Sequence, residues 1–74
     1  MAYDYSKLMG RVIEKFGTQA NFAAAMGLSE RTISLKINSH VPWKDFEMER
    51  ALKLLDVKPS QITEYFFRKK VQES

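Results

Sequence analysis

Apolar residues in this chain recur at intervals of three and four almost everywhere, and nowhere do they alternate strictly for long enough to suggest a strand. Such spacing buries stripes on helices, so the expected fold class is all-α. With 74 residues there is room for one domain, 1–74, and no more. A domain this short buries only roughly 60% of the surface its unfolded chain exposes, so nearly every apolar residue is needed in the core. That leaves no interior for a cofactor pocket, and no cofactor is expected. The chain has no cysteine, which removes disulfides and thiolate metal sites as supports.

Five helices are read, at about 6–16, 19–26, 30–38, 44–55 and 59–67. In the first, Ser6 is the expected N-cap, with Leu8, Met9, Val12, Ile13 and Phe16 on one face, and Gly17 ends it. Thr18 caps a short second helix whose inner face is Phe22, Ala23 and Met26. Gly27 supplies the residue that takes positive φ at a helix end, and Leu28 plugs the turn. Ser29 caps the third helix, with Ile33 and Ile37 inward. A loop from Ser39 to Trp43 carries Pro42, and the fourth helix has Met48, Ala51, Leu52 and Leu55 in a single stripe. Pro59 opens the last helix, with Ile62 and Phe66 inward, and the tail from Arg68 is expected to fray.

The segment from Gln19 to Asn38 carries the functional signal. Ala23 is small enough for two helices to cross tightly, Gly27 makes the sharp turn, and Ile33 locks the second helix against the first. With Ile33 at the centre of the buried side, Arg31, Ser34, Leu35 and Asn38 fall opposite. A guanidinium, small polar groups and one aliphatic contact are the vocabulary of base-edge readout in a major groove. Glu30 admits two readings, as an acceptor for a cytosine amino group or as a charge favouring the helix dipole. Phosphate contacts are assigned to Thr18, Gln19, Ser29, Lys36, Asn38 and Lys44, which frame this helix. Thr18 and Ser29 also cap helices, and Lys36, at the edge of the exposed arc, is read equally as a solvated lysine.

The pattern Gln19, Phe22-Ala23, Gly27-Leu28-Ser29, Ile33-Ser34 and Asn38, followed by Pro42 and an amphipathic helix, resembles the Cro and repressor (XRE-like) family of phage helix-turn-helix proteins. The fuller run Leu28 to Asn38, with Val41 to Lys44, is similar to small Cro-like regulators of temperate phages of Gram-positive bacteria. The resemblance implies a compact five-helix bundle containing a helix-turn-helix, a lambda repressor-like DNA-binding domain. It implies base contact by Glu30, Arg31 and Leu35 with Ser34 beside them, phosphate contact by Gln19, and a homodimer on double-stranded operator DNA in the cytoplasm of a bacterial host. Ser39 and His40 depart from the family, where glycine follows the asparagine.

Other function classes are read from what surrounds this segment. Twelve basic against nine acidic residues give a net charge of +3, too mild by itself to identify a nucleic-acid binder. No run approaches the roughly 18 apolar residues of a membrane span, and the opening Met-Ala-Tyr-Asp-Tyr-Ser is not a secretory leader. The one histidine, His40, lies in a loop without spaced metal ligands or a phosphate loop, so neither enzyme activity nor a metal site is expected. Trp43 is read as packing across the loop in preference to lying along a DNA backbone. The alternative function is an anti-repressor that binds a partner phage repressor. It draws on the acidic strip Asp45, Glu47, Glu49 and the aromatic end Tyr65, Phe66, Phe67, either of which offers a dock.

Overall fold

Leu8 and Val12, one turn apart, are wholly buried and fix the inner face of the first helix. The computed structural model describes residues 3–69. They form α1 (Ser6–Phe16), α2 (Gln19–Met26), α3 (Glu30–Ile37), α4 (Asp45–Leu54) and α5 (Ile62–Phe66), with a 3-10 turn over Pro59–Gln61 leading into α5. Among the described residues there is no strand, only an isolated antiparallel bridge between Tyr3 and Lys69. The fold is thus the all-helical five-helix bundle expected from the spacing. No helix of the described residues is long and apolar enough to cross a membrane.

Local chemistry sets most helix ends where the sequence placed them. The Thr18 hydroxyl accepts the Asn21 N–H at 3.1 Å and the Ser29 hydroxyl accepts the Thr32 N–H at 3.1 Å, so each satisfies a donor that its helix leaves open. Between α2 and α3, Gly27 adopts φ 74, and the Leu28 N–H bonds back to the Ala23 carbonyl at 3.0 Å. Arg50 Nη1 donates to the Met26 carbonyl at 3.2 Å, closing the end of α2 from α4. Arg11 does the same for α4, its Nε donating to the Leu55 carbonyl at 2.9 Å.

Several expectations are corrected. Ser6 does not cap α1: it is the first helical residue, and its N–H and hydroxyl both donate to Asp4 Oδ1, at 2.9 and 2.6 Å. Ile13 is 46% exposed, because it lies about 100° round the helix from Val12, outside the stripe that Leu8 and Val12 bury. The single helix expected over 59–67 is a tighter turn followed by five α-helical residues. Pro59 holds the first position, and the Gln61 N–H bonds to the Lys58 carbonyl at 2.9 Å. The tail does not fray at Arg68, whose carbonyl accepts the Asp4 N–H at 2.7 Å. Lys70 and the rest of the tail lie outside the described residues.

The core gathers Leu8, Val12, Phe22, Ile33, Leu55 and Phe66. Trp43 joins it as expected, edge-on to Phe66 at 5.2 Å and to Tyr5 at 6.3 Å. Ser39, where glycine was noted as missing, takes the left-handed conformation at φ 64 all the same. Its hydroxyl donates to the Tyr3 carbonyl at 3.1 Å, which ties the loop to the N-terminal segment.

Candidate partner-binding surface

On α3 the exposed and buried residues divide almost as the helical wheel requires. Ile33 is fully buried, Glu30 and Arg31 are exposed, and Ser34 and Leu35 are half-buried. The Asn38 side-chain amide donates to the Ser34 carbonyl of its own helix at 2.9 Å. Thr18 and Ser29 are exposed at the helix starts that they cap, and Gln19 is half-buried at the start of α2. Lys44 is exposed, its ammonium 5.9 Å from the centroid of the Phe46 ring.

Lys36 is the exception, and it overturns its assignment as a phosphate contact. It is 2% exposed. Its ammonium donates to Glu47 Oε1 at 2.7 Å and to the Pro42 carbonyl at 3.0 Å, and lies 5.8 Å from the Trp43 ring centroid. An ammonium held there cannot reach DNA. The partner is also set: Glu47 Oε1 accepts the Lys44 N–H at 2.8 Å, as a glutamate at the third position of a helix does when it reaches back to the cap. Burial pushes the Glu47 carboxyl up, but the hydrogen bonds from Lys36 and Lys44 and the charges of both outweigh it, holding its pKa below the ordinary carboxylate value.

The same burial splits the acidic strip. Glu47 faces inward at 5% exposure, while Asp45 and Glu49 face solvent. The aromatic end divides as well, with Phe66 in the core, Tyr65 half-buried and Phe67 41% exposed. Among the described residues Phe46, at 62%, Ile13 and Phe67 are the large apolar side chains left exposed. Phe46 was not singled out from the sequence. It lies next to Asp45 and Glu47 on α4 and faces away from the stripe of Met48, Leu52 and Leu55, so the period-3.6 pattern contained the signal.

Of the two basic residues on the eight-residue α3, only the Arg31 guanidinium is exposed, and it stands beside the exposed Glu30 carboxylate. The chain belongs to the family described as "Protein of unknown function (DUF739)", whose model matches residues 1–69. A similar solved structure is the solution structure of the modulator of repression of the temperate bacteriophage TP901-1 from Lactococcus lactis. It is 57% identical, with 97% of each chain covered and a TM-score of 0.80. No curated protein matches the chain.

These findings correct the resemblance to the Cro and repressor family, and with it the reading of a DNA-binding Cro-like regulator. The matching family is a different one, and the similar structure is a modulator of repression. The physical reason is that Ala23, Gly27 and Ile33 specify how two helices cross. They say nothing of what the outward side chains meet, and one helical scaffold serves many binding roles.

Proposed function

We propose that this chain is a phage modulator of repression, an anti-repressor that acts by binding a repressor protein and not by reading operator DNA. The observation that carries this reading is the 57% identity, over 97% of both chains, to the modulator of repression of phage TP901-1. The α3 surface supports it. With Lys36 committed to Glu47, Arg31 is the one basic side chain that this helix presents, and Glu30 beside it offsets its charge. A DNA reader needs several phosphate contacts for affinity. No cofactor, metal or catalytic step enters this role.

The test is a mobility-shift series on operator DNA of phage TP901-1 with that phage's repressor alone, this chain alone, and both. The expected result is no shift by the chain alone at concentrations where the repressor shifts the DNA, and altered occupancy when both are present. Operator binding by the chain alone, with log K falling about 0.9 per phosphate contact against log salt, would overturn the proposal.

A further inference from the structure

The edge of α4 nearest α5 carries Asp45, Met48, Glu49 and Leu52 at the spacing of one helical face. They form one wall of a depression of about 590 Å³, and Ile62 and Phe67 belong to the other. Leu52 is nearly buried at the floor, Met48 and Ile62 are half-buried, and Phe67 stands up at the lip. The bundle thus leaves an apolar trough between α4 and α5 that its own side chains do not fill.

The charge around this trough says what would cover it. The chain as a whole is basic, at +3, yet the lip on the α4 side carries two carboxylates, Asp45 and Glu49, against one ammonium, Lys53. Asp45 forms no ion pair among the described residues, and Glu49 meets only Lys53, one turn on, at 3.7 Å with both side chains about three-quarters exposed. An ion pair so solvated is weak and easily exchanged for another. An apolar floor under a rim on which two carboxylates outnumber one ammonium fits an amphipathic helix whose aliphatic residues are flanked by lysine or arginine. At ten residues, α4 offers about 15 Å of wall, enough for nearly three turns of such a helix.

We infer that the α4–α5 trough is the surface on which the repressor docks, and that it receives one repressor helix with aliphatic side chains a turn apart and basic residues beside them. The inference rests on the repressor-binding role proposed above. In the bound state Phe67 and Met48 close over the aliphatic side chains, while Asp45 and Glu49 exchange solvent for cations of the partner.

The experiment is a titration of the isotope-labelled full chain with the unlabelled repressor of phage TP901-1, followed by backbone amide shifts, with affinities measured for Phe67→Glu, Glu49→Lys and Arg31→Ala. Shifts should concentrate on Met48 to Lys53 and Ile62 to Phe67. Phe67→Glu should weaken binding by about tenfold or more, as loss of a central apolar anchor does. Glu49→Lys, at a side chain about three-quarters exposed, should weaken it about threefold, with the loss shrinking as salt screens the charge. Arg31→Ala should leave affinity unchanged. Binding that shifts the outer face of α3 and tolerates both trough variants would overturn the docking surface and leave the function standing. Absence of binding would overturn both. Trough shifts on concentrating the chain alone would make a second copy the occupant and reject the repressor helix.

Discussion

The α3–α4 and α4–α5 junctions share a helix and are built by opposite means. Between α3 and α4 a lysine and a glutamate lie in the interior with their charged groups partnered. Between α4 and α5, methionine, leucine, isoleucine and phenylalanine line an open trough. A buried ion pair is costly to break but cheap to replace, because removing one partner strands the other charge while replacing both removes the desolvation cost. An open apolar surface contributes little to stability and is free to serve a partner. The two sides of α4 therefore divide the work: one fixes the fold and the other is available for recognition.

That division can be broken by experiment. The largest expected effect is at the closed junction, where Lys36→Met should cost about 3 to 5 kcal/mol. For a domain of this size each kcal/mol lowers the melting temperature by about 4 to 8 °C. The double variant Lys36→Met with Glu47→Leu should recover most of the loss. A single variant that melts like the parent would show that the pair does not hold the junction. Next in size is the acid response. Because the folded pKa of Glu47 lies below its unfolded value, the stability it contributes is present above the ordinary carboxylate range and is lost as pH falls through the folded pKa. Urea midpoints should thus drop in acid, and less steeply in Glu47→Gln. At the open junction, Phe67→Ala should cost only about 1 kcal/mol, chiefly the edge-on contact with the Tyr3 ring at 5.8 Å. The smallest effect belongs to exposed Arg31, where alanine should change the urea midpoint by less than about 0.5 kcal/mol of stability.

Elements were legible in the sequence wherever the deciding forces were local. Thr18, Gly27 and Ser29 act within a few residues of themselves, and α2 begins and ends where those residues place it. Ile33 was legible for the same reason. Lys36 was not, although it lies only about 60° round the helix from Ile33. Whether a lysine there snorkels outward or turns in depends on a carboxylate from another helix, and no wheel drawn on α3 contains Glu47. The one local hint was Glu47 itself, three residues after Lys44, where a glutamate turns back on its own helix start. Tyr5, buried against Trp43, escaped notice because it precedes the first helix and belongs to no stripe. The role of the α3 surface was misread for a different reason. Residue types that suit base edges also suit an ordinary solvated helix, and only the total charge of the face separates the two.

Trp43 is the only tryptophan in the chain, and its indole sits where the Lys36 ammonium, Tyr5 and Phe66 meet, its buried N–H without an acceptor among the described residues. The molecule thus carries its own optical gauge. Ultraviolet emission from that one ring reads out the state of the interior directly, so loosening of the closed junction can be followed without attaching a dye.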